Sequence, residues 1–145
     1  MSRFRLLAIR AGVGWLEMVG LIGVFCCGMW LVVPVVRGSI TAMEMLGYVI
    51  ALAACASSLY FLSVLLATFL DEIWRMKGGI IAFGGLWALS SFVPLPASVN
   101  IVRAMLGDRS PLLAHVMPWN TMAFSLALSA ILFLAALKIV QAREH

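Results

Sequence analysis

Charge is what this sequence has least of. Ten Lys and Arg and six Asp and Glu make 11% of the chain, where a soluble domain carries about 25%. With 64% hydrophobic residues and a mean hydropathy of +1.10, a water-facing globule is excluded, and the bilayer is the expected solvent. Cysteine is also scarce. Cys26 and Cys27 are adjacent, Cys55 lies in an apolar run, and none belongs to a C-x-x-C or has a histidine nearby, so they read as small packing residues rather than metal ligands. A phosphate-binding loop is missing too: Gly78-Gly79 and Gly84-Gly85 lack the G-x-x-x-x-G-K-[ST] pattern, so any nucleotide energy would come through another polypeptide. No polar linker divides the chain, which predicts a single transmembrane domain over 1–145. The net charge of +4 does not point to nucleic acid, because the basic residues sit at the ends of apolar runs instead of forming a patch.

What the sequence does have is length without charge. Met18–Val36, Met45–Leu70, Gly78–Val102 and Ser110–Leu137 are uncharged, and each exceeds or approaches the roughly 20 residues that carry a helix across a ~30 Å hydrocarbon core. The expected fold is all-α integral membrane: four transmembrane helices over about 13–36, 43–70, 78–95 and 119–140, with an external helical segment at 96–118 before the last span. Arg3, Arg5 and Arg10 form a basic leader, but the run after them is far longer than a signal-peptide core and no small-residue cleavage site follows, so the first helix is read as retained. With these spans Arg3, Arg5, Arg10, Arg75, Lys77, Lys138 and Arg143 share one side, and Arg37, Arg103 and Arg109 the other. The positive-inside rule makes the richer side cytoplasmic, with both termini there, in a plasma membrane of the bacterial inner-membrane type.

The joints between runs carry local signals. Pro34 and Gly38 punctuate the first. Thr41 followed by Glu44 has capping-box spacing for the second helix. The inner joint, Asp71 to Lys77, alternates charge around Trp74, a residue that favours the lipid–water boundary. In the outer segment, Pro94 and Pro96 end the third span. Ala97–Leu106 can form a short helix with Ser98 or Asn100 near its start and Gly107 as its stop, and Pro118-Trp119 opens the last helix. The apolar character of this outer stretch places it against or into the membrane, where protein or water must satisfy its backbone.

Candidate chemistry is sparse. Glu17 is the one acid in the first apolar stretch, and intramembrane acids are often functional. Its place near the cytoplasmic end, about two turns from Arg10, favours pairing or snorkelling over a proton or substrate role. Ser57, Ser58, Ser125 and Ser129 make small-xxx-small pairs with Ala53, Ala54 and one another, a spacing suited to close helix contact. None has a plausible base in its membrane layer, so a serine hydrolase is not expected. His115, beside Pro118 and Trp119, reads as interfacial rather than catalytic. No enzyme activity, metal or cofactor is predicted.

Three segments taken together carry a resemblance: Thr68-Phe69-Leu70-Asp71-Glu72-Ile73-Trp74-Arg75, then Asn100-Ile101-Val102-Arg103-Ala104-Met105 with Ser110-Pro111-Leu112, and Pro118-Trp119 before a last span ending Gln141-Ala142-Arg143-Glu144. In this order they resemble the C-terminal part of ABC transporter permeases of the type-2 exporter class. The resemblance implies a partly re-entrant helical segment before the last span, two or more membrane subunits meeting around a pathway, and a separate cytoplasmic ATP-binding subunit. It points to Asp71, Glu72, Trp74, Arg75 and Lys77 as candidates for the contact that transmits force from that subunit. The family usually has six spans, so four would correspond to the last four. The functional expectation is a permease component of an ABC-type exporter. The alternative is a small four-span assembly or regulatory partner without transport activity, and an adjacent ATPase gene would favour the first.

Overall fold

The computed structural model describes residues 3–37, 40–70, 72–106 and 116–142, apart from the side chains of 3–4, 33–37 and 72–76. Among the described residues the chain is helical, without strands. The elements are α1 (Arg3–Arg37), α2 (Ala42–Phe69), α3 (Glu72–Phe92), α4 (Ile101–Leu106) and α5 (Trp119–Ala142). In lipid a backbone has no water to bond, and a helix satisfies its N–H and C=O groups within itself. Three helices, α1, α2 and α5, are long and apolar enough to cross a membrane, which makes this a membrane protein.

Helix ends follow local chemistry. Thr41 caps α2 with the expected box: the Glu44 N–H donates to Thr41 Oγ1 at 3.3 Å, and the Thr41 N–H donates to Glu44 Oε2 at 3.1 Å. Helix α1 starts well before residue 13, because nothing in Arg5–Arg10 opposes helix and the added turns satisfy backbone groups. Helix α3 likewise starts at Glu72 instead of 78, so the charged inner joint forms its first turns. It stops at Phe92, short of 95, since residues preceding Pro94 and Pro96 are pushed out of helical conformation. Residues 97–99 form a turn, and the short outer helix begins only at Ile101. Asn100 is its cap, accepting the Arg103 N–H on Oδ1 at 3.1 Å. Pro118 precedes α5 and its carbonyl accepts the Met122 N–H at 3.0 Å.

Helices α2 and α5 form the central pair, with the most extensive contact in the bundle. Helix α1 packs mainly on α2 and less on α5, α3 packs on α2, and α4 lodges against α2, α3 and α5. The core is made of small residues: Ala51 and Ala54 pack with Met122, with Met117 against them. Small side chains let backbones approach, which matters in lipid because burial from hydrocarbon yields no hydrophobic gain. Phe61 and Phe133 extend the α2–α5 contact, their ring centroids 5.2 Å apart.

Candidate functional site

The polar groups that the sequence singles out divide into three sets. The first is a buried hydroxyl layer between α2 and α5. Ser125, fully buried, donates to the Ala54 carbonyl at 2.9 Å and lies 3.2 Å from the Cys55 carbonyl. Ser129 donates to the Ser125 carbonyl at 2.7 Å, and Ser58 to the Cys55 carbonyl at 2.8 Å. Ser57 donates to the Ala53 carbonyl and accepts Trp15 Nε1–H from α1, both at 2.8 Å. Every buried side-chain nitrogen and oxygen among the described residues has a hydrogen-bond partner. The hydroxyl protons of Ser57 and Ser58 are therefore engaged with backbone carbonyls of α2, as packing of this layer requires.

The second set lies where α4 meets the start of α5. A recess of about 380 Å³ is lined by Leu95, Ala97, Asn100, Arg103, Ala104, Pro118 and Thr121. A second, of about 490 Å³, adjoins it through the shared Ala97, Pro118 and Thr121 and is bordered by Trp119. The walls are held by cross-links the sequence did not reveal. Thr121 donates to the Ala97 carbonyl at 3.0 Å, Asn100 Nδ2 to the Ser90 carbonyl at 3.4 Å, and the Tyr48 hydroxyl to the Met105 carbonyl at 3.4 Å. Of the sequence-predicted residues, Arg103 and Pro118 line the recess, Trp119 stands exposed at its rim, and His115 lies outside the described residues. Asn100 and Thr121 are its buried polar members. The capping position of Asn100 is a signal legible in sequence. Thr121 carries no such signal, since its partner is 24 residues away.

The third set is Glu17. The sequence places it near a helix end, but the register of α1 against α2 places it elsewhere. The Tyr60 hydroxyl donates to the Ala11 carbonyl at 3.0 Å, and Trp15 meets Ser57 at 2.8 Å. Four residues up α1 answer three down α2, an antiparallel pairing that sets Glu17 level with Ala56 and Cys55, the middle of α2. Glu17 is exposed on the surface of α1 and is not hydrogen-bonded to Ser57 or Ser58, although it shares their layer.

The inner joint is a different case. Lys77 is exposed in the second turn of α3, Asp71 lies outside the described residues, and of Glu72, Trp74 and Arg75 only the helical backbone is described. On that helix Glu72, Arg75 and Lys77 stand within the first two turns. Among the described residues no group of His, Cys, Asp and Glu is arranged to hold a metal ion. The chain matches no protein-family model, no curated protein and no solved structure.

Proposed function

We propose that this chain is a membrane-spanning permease component of an ABC-type exporter, moving a substrate across the bilayer as a partner ATP-binding subunit hydrolyses ATP. The observation that carries this reading is the short capped helix α4 wedged between α3 and α5. The Tyr48 hydroxyl, from a position six residues inside α2, reaches its Met105 carbonyl, which sets the end of α4 level with the first two turns of α2. A helix at that depth, entered through Pro94 and Pro96 and left before Pro118, fits a partly re-entrant external segment preceding the last span. Its Ile101, Val102, Ala104 and Met105 are half-buried, and the helix packs on α2, α3 and α5.

In this reading α3 also spans, as the third of four. Its apolar part, residues 78–92, extends about 22 Å, and Ile80, Ile81, Phe83, Leu86 and Phe92 lie exposed along it, a surface suited to lipid. Its charged start, Asp71 to Lys77, faces the cytoplasm with both termini, in the plasma membrane, and docks on the ATPase. Two or more membrane subunits enclose the pathway, since among the described residues of one chain the buried side-chain polar atoms already have hydrogen-bond partners.

The test is co-expression with an ATP-binding subunit encoded beside it, followed by purification in detergent. The expected result is a stable complex whose ATPase activity falls at least about tenfold in the triple variant Asp71→Lys, Glu72→Lys, Arg75→Glu. Unchanged assembly and ATPase activity in that variant overturn the proposal and favour an assembly or regulatory partner.

A further inference from the structure

The recess beside α4 continues into a groove that the transport reading does not use. Its first lobe is lined by Asn100, Arg103 and Thr121, and its second by Ser98, Asn120 and Trp119. Among the described residues that line the two lobes, Arg103 carries the only charge, and the other polar groups are hydroxyls and amides. A concave site of that composition favours an anion, because its donors can hydrogen-bond to one and no carboxylate among these residues repels it. The Arg103 guanidinium brings five N–H donors in a planar fork, a geometry that matches a phosphate.

Beyond the second lobe the surface changes character. A groove of about 390 Å³ adjoins it through the shared Met117 and Trp119 and runs along α2 past Met43, Leu46, Gly47 and Ile50. From Met43 to Ile50 this is about 10 Å of helix, directed from the start of α2 toward its middle. Met43, Leu46 and Ile50 are exposed, so the groove is open along its length. Glu44, which borders it, is engaged in the helix cap, accepting from the Thr41 N–H and hydroxyl. The Tyr48–Met105 bond sets the end of α4 level with the first two turns of α2. In a membrane crossed by α2 that is the depth at which headgroups meet hydrocarbon, and the exposed Trp119 is a residue type of that boundary.

We infer that recess and groove together hold one anionic phospholipid of the leaflet on the α4 side, its phosphodiester head against Arg103 and an acyl chain along α2. The occupant follows from the order of these surfaces. A free anion would use the first lobe and leave the groove empty. A plain hydrocarbon would fill the groove and leave Arg103 without use. A zwitterionic head would bring a cation into a recess whose described lining has no carboxylate to receive it. An anionic diacyl lipid matches both ends at once, and the membrane presents its head at the right depth. The inference rests on the membrane reading alone, so a failure of ATPase docking leaves it standing.

The test is native mass spectrometry of the full chain, released from detergent micelles after titration with phosphatidylglycerol. The expected result is one lipid bound saturably per chain, about tenfold tighter than phosphatidylcholine of the same chain lengths. Arg103→Gln weakens this binding about tenfold. Ala104→Leu, which fills the recess without touching a charge, weakens it at least about threefold. Lys138→Gln, which removes a cation at the far end of α5, leaves it within about twofold of the parent. Inorganic phosphate does not displace the lipid, and circular dichroism confirms helicity in each variant. Equal affinity for phosphatidylcholine, unchanged binding in Arg103→Gln or Ala104→Leu, an equal loss in Lys138→Gln, or displacement by inorganic phosphate overturns the inference.

Discussion

The α2–α5 contact and the α1–α2 contact are built from different materials. The first is a close approach of small residues, with Ala54 and Ser125 at its centre and every hydroxyl turned onto a nearby carbonyl. The second is held by two aromatic side chains reaching across, Trp15 to Ser57 and Tyr60 to Ala11. Gly14 makes the second reach possible: a Cβ there would collide with the Tyr60 hydroxyl. The difference teaches how a bundle in lipid divides its tasks. Tight packing of small residues supplies most of the association, while a few directional hydrogen bonds choose the register of a helix that buries little.

That contrast can be broken at the packed contact first. Ser125→Leu inserts a large side chain where none fits, and is expected to destabilise the bundle by about 1–3 kcal/mol, read as a lower midpoint for unfolding in mixed micelles. Ser125→Ala, which removes only the hydroxyl, is expected to shift the same midpoint by about 0.6 kcal/mol. Equal effects of the two would mean that the hydroxyl, rather than the close packing, holds α2 to α5.

The aromatic contact is tested through Gly14. Gly14→Ala is expected to cost about 1 kcal/mol, with faster amide exchange confined to α1. In a Tyr60→Phe background, where the colliding oxygen is gone, the same change should cost measurably less, so the double-mutant cycle reports the coupling directly. Additive effects would show that Gly14 does not serve the Tyr60 contact.

A cap belongs to neither contact and provides a reference. Thr41→Ala removes the side-chain acceptor of the Glu44 N–H and is expected to cost about 1 kcal/mol, visible as exchange of amides in the first turn of α2 alone. Trp15→Phe is expected to cost as little as Ser125→Ala, about 0.6 kcal/mol, because Ser57 keeps its bond to the Ala53 carbonyl. Its signature is greater mobility of a spin label on α1 with the α2–α5 distance unchanged.

Much of the architecture is legible in the order of residues. The Thr41–Glu44 spacing forecasts a box that forms, Pro94 and Pro96 forecast the end of α3, and small-xxx-small serines forecast buried ones. These features depend on residues near one another in the chain, and those three or four apart are brought together by any helix. The candidate site is less legible. Arg103 and Pro118 stand out singly, but the recess they share needs Thr121 to reach Ala97 and Tyr48 to reach Met105, pairs separated by 24 and 57 residues. Glu17 is unusual in any reading of the chain. Its depth is not readable there, because distance along α1 from Arg10 is the only measure the sequence allows, and that measure points to a helix end.

The sequence by itself determined the solvent and the elements: apolar runs of spanning length with few charges leave the helix as the backbone conformation that lipid accepts. Tertiary structure decided depth and direction. A helix can slide and rotate against its neighbour without altering its own hydrogen bonds, so composition and periodicity leave its register open. Here the Trp15–Ser57 and Tyr60–Ala11 contacts fix it, and they turn Glu17 from a residue near a helix end into one at mid-bundle depth, facing outward.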